Sequence, residues 1–360
     1  MASLLERKLI VVTGKGGTGK STVACALGLI GARRGLRTLV AELGDQQRIP
    51  ELFEATGGGT ERLDTEHTKA QRHDAEHMDP DRPDYLRHGR HTGILRLQES
   101  LWSTSIDPDR ALIEWLQTLA GRITGRLLAA SNTFHYFAAA APGAKELVTM
   151  VRVRELCEGR DAAKHGSRNS SHEQRDPAPY DLVILDAPAT GHALALLRSP
   201  QTFASIVRVG PLAEQAQELR ELLEDPARSA YVAVTHASEM AVTETLELEE
   251  GLRRELDRDL DAVIVNGTMP KRFTREELGR IAATTSQGHG ASAGVASSAA
   301  QMAQTVNDRA RVQLAQIARL RRQRFAGGSP PVVLTVPFAF VKVLDLDAVR
   351  RMSARLARYL

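Results

Sequence analysis

The stretch Gly14–Thr22 reads GKGGTGKST and says more about the fold than any other part of the chain. It fits the phosphate-binding pattern G-x-x-x-x-G-K-[ST], with a second lysine, Lys15, directly after the first glycine. The apolar run Leu9–Val12 precedes it and the helix-like segment Ser21–Ile30 follows it. Because this pattern requires a strand before it and a helix after it, the sequence predicts a nucleotide-binding loop.

Each residue type in this loop has a role in phosphate binding. Glycines let successive backbone N–H groups converge on phosphate oxygens, and the N-terminus of the next helix adds the positive end of its dipole. We expect Lys20 to contact the β- and γ-phosphates and the Ser21 hydroxyl to bind Mg²⁺. The predicted ATP-binding residues of the loop are Gly14, Lys15, Gly16, Gly17, Thr18, Gly19, Lys20, Ser21 and Thr22.

Length, composition and charge are typical of a soluble enzyme. The 360 residues, 42% of them hydrophobic, can bury a large core. The net charge is only +3, with 47 basic residues interleaved among 44 acidic ones, so nucleic-acid binding is not indicated. The chain has no apolar run of about 18 residues, and Met1–Lys8 is too short and too charged for a signal peptide, so we expect a cytoplasmic protein. Cys25 and Cys157 form neither a disulfide framework nor a zinc motif, and we expect both to be buried.

Strand signals recur along the chain at the spacing of β–α–β units. After the loop they lie in apolar runs at 37–41, 181–185, 231–235, 262–265 and 332–336, with a weaker, less apolar one at 101–106. Continuous apolar runs without alternation indicate strands that are covered on both faces. The predicted fold class is therefore α/β, a P-loop NTPase with a mostly parallel, doubly wound sheet and helices on both faces.

We expect one domain over residues 1–360, with flexible insertions at 57–93, 159–179 and 282–306. The first carries five histidines, whose spacings fit no compact ligand set, so a flexible segment is favoured over a metal site. The second is polar and ends in Pro-Ala-Pro. The third is rich in Ala, Ser, Gly, Thr and Gln, which is compatible with a loop or a weak helix.

A second motif, Tyr180–Leu197, reads YDLVILDAPATGHALALL. Asp186 ends a predicted buried strand, from which its carboxylate can reach Mg²⁺ directly or through a water molecule. The next residues contain proline, threonine and glycine, which indicates a loop that changes conformation when the γ-phosphate is lost. The predicted metal ligands are Ser21 and Asp186, and the predicted switch residues are Asp186, Pro188, Thr190, Gly191 and His192.

Both motifs resemble those of the ArsA-type ATPases, which include the arsenical-pump ATPase and the ATPase that targets tail-anchored membrane proteins. The loop resembles the KGGxGK[ST] segment that this family shares with the MinD and ParA proteins, and 186–192, DAPATGH, is similar to the family's own DTAPTGH switch. Similar segments follow in the same order at 141–146, 235–245, 263–266 and 336–338. The resemblance implies ATP and Mg²⁺ as ligands, and a homodimer or a pair of paralogous subunits that opens and closes on ATP turnover.

The resemblance also implies roles for single residues. Lys15 would reach across the dimer to the partner's phosphates, where a second positive charge stabilises the transferring phosphoryl group; the alternative is a solvated loop lysine. Asn266 would read adenine, while Pro337 and Phe338 would close over the base, unless these two residues only end a strand against the core. The predicted catalytic residues are Lys15, Lys20, Asp45 and Glu42.

The first switch departs from the family pattern. Where the family has an aspartate that orients the attacking water, a gapless alignment places Gly44. Asp45 lies one residue later and Glu42 two residues earlier, and either carboxylate could position water. Asp45 is favoured because the glycine before it permits a local backbone shift. Gln46 or Gln47 could instead orient water without acting as a base, and slow hydrolysis is an alternative.

The sequence leaves the coupled process open. Two separated cysteines are a poor thiol site for a metalloid, and a paired-cysteine zinc clasp is missing. One alternative is a nucleotide-gated chaperone or membrane-protein targeting factor, with helices at 108–130 and 201–223 as candidates for a client groove, although core packing is favoured for both. Another is a MinD/ParA-like ATPase that meets a membrane through the amphipathic, basic segment 344–360, for which a docked helix is favoured.

Overall fold

The computed structural model describes residues 4–44, 47–55, 61–63, 93–120, 143–159, 180–206, 211–286, 291–323 and 332–360. Several predictions fall outside these residues. They include the water-positioning candidates Asp45 and Gln46, most of the insertion at 57–93 with all its histidines, and nearly all of the insertion at 159–179.

Nine strands form one sheet in the part of the chain that the structure describes, in the order β3-β4-β5-β2-β6-β1-β7-β8-β9. Strand β4 is antiparallel to both of its neighbours and every other pair is parallel. The predicted mostly parallel sheet is therefore confirmed. The strands are β1 (Leu9–Gly14), β2 (Thr38–Leu43), β3 (Glu61–Leu63), β4 (Ile94–Gln98), β5 (Leu101–Ile106), β6 (Leu182–Ala189), β7 (Ser229–His236), β8 (Ala262–Thr268) and β9 (Val332–Pro337).

Helices cover both faces of the sheet, as the fold class predicted. One buried cluster joins one face to side chains of α3, α4, α5, α6, α7 and α9, and a second joins the other face to α1, α2 and α10. Cys25 and Cys157 are buried, one in each cluster. The helices are α1 (Lys20–Arg33), α2 (Arg48–Glu54), α3 (Pro108–Ala120), α4 (Ala144–Glu158), α5 (Thr190–Ile206), α6 (Pro211–Glu224), α7 (Glu239–Leu256), α8 (Arg275–Ser286), α9 (Ala291–Arg322) and α10 (Leu346–Leu356).

Some helix boundaries are set by the backbone conformation of single residues. Helix α7 ends at Leu256, because Asp257 adopts a left-handed φ of 54°. The candidate client helix at 201–223 is divided between α5 and α6 in the described residues. Residues 282–286 and 291–306 lie in α8 and α9, so the helix alternative was right for these parts of the third insertion.

Candidate nucleotide site

The predicted phosphate-binding loop joins the central strand β1 to helix α1, at the carboxyl edge of the sheet. Gly14 and Gly19 have φ angles of 139° and 90°, which side-chain-bearing residues rarely adopt. A Cβ atom on Gly14 would lie 2.1 Å from the carbonyl oxygen of Val234, and one on Gly19 would lie 2.5 Å from Nδ2 of Asn266. Glycine is therefore required at both positions for the loop to fit against β7 and β8.

Asn266, the predicted adenine reader, contacts this loop. Its Nδ2 donates a hydrogen bond to the carbonyl oxygen of Thr18 at 2.9 Å, and its Oδ1 accepts one from the backbone N–H of Gly267 at 2.9 Å. Both ends of the side-chain amide are thus in use, and the structure places Asn266 where it anchors the loop.

The two lysines of the loop lie in different surroundings. The ammonium group of Lys20 donates to the carbonyl oxygen of Lys15 at 3.3 Å, and the Thr18 hydroxyl donates to the same oxygen at 2.8 Å. Burial lowers the pKa of Lys20, while the nearby carboxylate of Asp186 opposes this shift. The ammonium group of Lys15 instead forms an ion pair with Glu244 on α7.

Asp186 lies beside both the phosphate-binding loop and the first switch. Parallel pairing of β6 with β1 and β2 sets Asp186 in register with Val12 and Glu42. Burial raises the pKa of Asp186, and a hydrogen bond from Ser21 and the charge of Lys20 act in the opposite direction. Within the described residues, Oδ1 of Asp186 is buried and has no hydrogen-bond partner. An unpartnered carboxylate oxygen next to a serine hydroxyl fits Mg²⁺, which takes hard oxygen ligands.

The expectation of a loop at Ala187–His192 is wrong for this conformation. Strand β6 continues to Ala189, which pairs with Gly14, and α5 begins directly at Thr190. The Thr13 hydroxyl donates to the carbonyl oxygen of Pro188 at 2.9 Å, which fixes the strand end against β1. Gly191 and His192 are exposed in the first turn of α5, whereas the Thr190 hydroxyl is buried without a partner in the described part of the chain.

Glu42 occupies a structural position in the first switch. Its carboxylate accepts hydrogen bonds from the backbone N–H groups of Arg48 at 3.1 Å and Ile49 at 3.2 Å, at the start of α2. Burial, with a smaller contribution from the charge of Asp186, raises the pKa of Glu42 to about 8, although the hydrogen bond from Ile49 opposes this. The structure therefore places one of the two candidate water-positioning carboxylates in a helix cap, and Asp45 lies outside the described residues.

Comparison with known proteins agrees with this geometry. The CbiA family, described as the CobQ/CobB/MinD/ParA nucleotide binding domain, matches residues 9–313. The chain belongs to the CbiA family. It is 26% identical over 276 residues to the ATPase BagA of Mycobacterium tuberculosis, which covers 76% of this chain and 69% of that protein. It is 22% identical over 273 residues to the arsenical pump-driving ATPase of Acidiphilium multivorum, which covers 72% of this chain and 39% of that protein. This CbiA-family chain is an ATPase, and the predicted relationship to the ArsA-type ATPases is confirmed.

The predicted base-binding residues of this CbiA-family ATPase lie at the same sheet edge as the loop. Pro337 ends β9, and the backbone N–H of Phe338 donates to the carbonyl oxygen of Thr268 at 2.9 Å. The Phe338 side chain is 47% exposed and meets Phe340 edge to face, with 5.1 Å between ring centroids. A Cβ atom on Gly267 would lie 3.9 Å from the Phe338 ring, so this ring adjoins the Asn266 segment.

Sequence reasoning does not identify the contacts that Glu244 and Arg48 make in this CbiA-family chain. Glu244 belongs to the segment 235–245, whose resemblance to the ArsA-type ATPases implies no role for this glutamate. Arg48 lies close enough to Lys20 and Asp186 to influence the pKa of each. Arg48 follows the first switch, where the chain departs from the family pattern, so no motif indicates it.

The C-terminal segment is docked, as favoured above. Leu346, Val349 and Leu356 of α10 are buried in the cluster that contains α1, and Arg33 of α1 donates to the Ser353 hydroxyl at 2.9 Å. Among the described helices, none combines the length and the apolar composition needed to cross a membrane. In the same residues, histidine, cysteine and carboxylate side chains form no group of three that could hold a metal ion.

Proposed function

We propose that this ATPase works as a homodimer in which each subunit binds MgATP and receives Lys15 from its partner. The separation of the two loop lysines is the observation that supports this proposal best. Lys20 lies in the site beside Asp186, whereas Lys15 lies against α7 with 33% of its side chain exposed. A lysine outside the phosphate site of its own subunit is available to a second subunit that docks on the carboxyl edge of the sheet.

Within one subunit, the loop residues have complementary roles. Backbone N–H groups of the loop bind the phosphates, and Lys20 contacts the β- and γ-phosphates. Ser21 and Asp186 hold Mg²⁺, which when bound neutralises phosphate charge as hydrolysis proceeds. Asp45 positions the attacking water, because the carboxylate oxygens of Glu42 are already hydrogen-bonded to α2.

The segment from Asp186 to His192 transmits the state of the γ-phosphate. It is attached to the loop strand through the hydrogen bond between Thr13 and Pro188, and it leads directly into α5. A change at the phosphate that displaces the strand end must therefore move the first turn of α5. Pro337 and Phe338, at the end of β9 on the side of β1 away from β6, close over the base.

Steady-state ATP hydrolysis with Mg²⁺, measured over a range of protein concentrations, tests the proposal. The specific activity of the wild type should rise with concentration until the dimer is saturated. Lys15→Ala should still bind ATP but lose about 10²- to 10³-fold in kcat, since it removes a charge that acts on the transition state. Lys20→Ala should lose ATP binding as well. A specific activity that does not depend on concentration, or a fully active Lys15→Ala variant, would contradict the proposal.

Mixing two inactive variants separates action in trans from action in cis. An equimolar mixture of Lys15→Ala and Asp186→Asn contains mixed dimers with one complete site, built from the intact site of the first variant and Lys15 of the second. With random pairing, the mixture should recover about one quarter of the wild-type activity. If Lys15 serves its own subunit, the mixture will stay inactive.

A further inference from the structure

The ion pair between Lys15 and Glu244 lies within one chain, across the boundary between the phosphate-binding loop and α7. We propose that Glu244 is a positioning residue for Lys15, which holds this lysine against its own subunit until a partner with bound ATP competes for it. The inference rests on the proposed function, because it concerns the lysine that the second subunit receives.

The glutamate side of the pair is rigid. Its helix is fixed to the core by Val242 and Leu248, both 0% exposed. A hydrogen bond of 3.2 Å from Arg319 of α9 to the Thr243 hydroxyl holds the adjacent residue. Glu244 is therefore presented to the loop from a fixed position.

The lysine side has room to move. A Cβ atom on Gly16 or Gly17, the two residues after Lys15, would meet no atom within 4 Å. The φ angle of 80° at Gly17 also lies in a region where glycine moves without the strain of a side chain. Release of the ion pair would therefore displace the loop tip and leave α7 in place.

The strength of the pair suits an exchange of partners. The two side chains are 33% and 32% exposed, and in the described part of the chain neither forms an ion pair with any other group. A partly exposed pair contributes little free energy, because water and salt screen it. The phosphates of ATP carry more negative charge than one carboxylate, so a docked partner can take Lys15 from Glu244.

Binding of ATP to the same subunit would also loosen the lysine. The carbonyl oxygen of Lys15 accepts hydrogen bonds from the Thr18 hydroxyl and the Lys20 ammonium group, at 2.8 Å and 3.3 Å. When Lys20 turns to the phosphates, this carbonyl loses one of its two donors. The loop tip is then held by the Thr18 hydroxyl and by the ion pair with Glu244, so this ion pair carries a larger share of the restraint on Lys15.

The test compares Glu244→Gln with wild type and with Glu247→Gln. Glu247 is exposed on the same helix and has the same charge, so its variant controls for the loss of a carboxylate from α7. Glu244→Gln should lower the protein concentration that gives half-maximal specific activity by about twofold to fivefold, as expected for loss of a weak ion pair. The activity at saturating protein concentration should be unchanged, and Glu247→Gln should match the wild type in both measurements.

A second measurement distinguishes release of Lys15 from a structural effect on α7. Dimerisation with Mg²⁺ and the non-hydrolysable analogue AMP-PNP is followed by sedimentation velocity in wild-type and Lys15→Ala backgrounds. Glu244→Gln should strengthen dimerisation in the wild-type background and have no effect when Lys15 is absent.

Three outcomes would overturn the inference. The first is a half-maximal protein concentration for Glu244→Gln that equals or exceeds that of the wild type. The second is stronger dimerisation of Glu244→Gln in the Lys15→Ala background. The third is an equal fall in the half-maximal concentration for Glu247→Gln. If the specific activity of the wild type does not depend on protein concentration, the proposed dimeric function itself is contradicted. The wild-type measurement alone shows this, before any Glu244 variant is made.

Discussion

The carboxylate of Glu42 accepts hydrogen bonds from the backbone N–H groups of Arg48 and Ile49, which lie at the start of α2. Glu42→Ala leaves these donors without their acceptor and should lower the free energy of unfolding by about 1–3 kcal/mol. Glu42→Gln keeps an acceptor oxygen, so it should retain wild-type stability and an ATPase rate within about threefold of the wild type, as expected of a cap rather than a group that acts on water. Urea unfolding and steady-state kinetics measure the two effects.

Glu51→Gln, at an exposed position of the same helix, is the matched control for Glu42. If Glu42→Gln were to lose about 10²-fold in kcat while its unfolding stayed unchanged, the carboxylate would act on the attacking water. That result would remove the assignment of water positioning to Asp45.

Asn266 allows a second prediction for a single residue. Because its amide holds the loop through Thr18, Asn266→Ala should weaken the binding of ATP, GTP and inorganic tripolyphosphate by a similar factor, about threefold to tenfold for one buried hydrogen bond. Phe338→Ala should weaken the binding of ATP and leave tripolyphosphate unaffected, because tripolyphosphate lacks the base over which Phe338 is proposed to close. Isothermal titration calorimetry measures these affinities, and a loss restricted to ATP in Asn266→Ala would restore the adenine-reading role.

Among the connections between elements, the turn from α7 to β8 depends on Glu249. Its carboxylate accepts a hydrogen bond from the backbone N–H of Leu260 at 2.7 Å, and its other oxygen is buried without a partner in the described residues. Burial raises the pKa of Glu249 from 4.5 to about 8, and the nearby Asp259 adds to this shift. The proton is therefore held by the folded protein in a pH range where the unfolded chain has lost it.

The sign of the pH effect follows from this raised pKa. The contribution of Glu249 to stability is complete below pH 4.5 and is lost as the pH rises through about 8. Glu249→Gln should match the wild type at pH 4 and exceed it at pH 9 by about 1–3 kcal/mol in the free energy of unfolding. Urea titrations at the two pH values check this, with the exposed neighbour Glu250→Gln as control, and an equal effect at both values would exclude the buried proton.

The elements that could be predicted best from sequence are the strands that helices cover on both faces of the sheet. The central parallel strands are buried along most of their length, and every strand that the sequence signals predicted is present. Strand β4 was missed because Arg96 interrupts its apolar residues and its turn to β5, with Ser100 at a φ of 58°, contains no glycine. The predicted loop after Asp186 failed because the pairing of Ala189 with Gly14 extends the strand, which local composition does not encode.

For the whole molecule, the motif residues of the site could be predicted but their contacts could not. The loop pattern identified Lys15, Lys20 and Ser21 because the phosphate chemistry requires these residue types at these positions. The contacts from Glu244 to Lys15 and from Asn266 to Thr18 join positions 229 and 248 residues apart. They arise from the order of the strands in the sheet, and no local pattern specifies them.

The packing of α10 on α1 provides a prediction for the molecule as a whole. Leu356 is 1% exposed in the cluster that supports α1, the helix that carries Lys20 and Ser21, whereas Arg355 is exposed. Leu356→Ala should lower the free energy of unfolding by about 2–4 kcal/mol, since it leaves a cavity, and Arg355→Ala should have almost no effect.

The same pair of variants tests α10 as a membrane contact. An amphipathic helix binds a bilayer through its apolar side, and here that side is occupied by α1. Neither variant nor the wild type should therefore sediment with anionic phospholipid vesicles, with or without MgATP. If the wild type were to bind vesicles only with MgATP, and Leu356→Ala abolished this binding without lowering stability, α10 would have to leave α1 in the ATP state. The nucleotide site and the C-terminus would then be coupled through α1, and the docked helix would be one of two positions of α10.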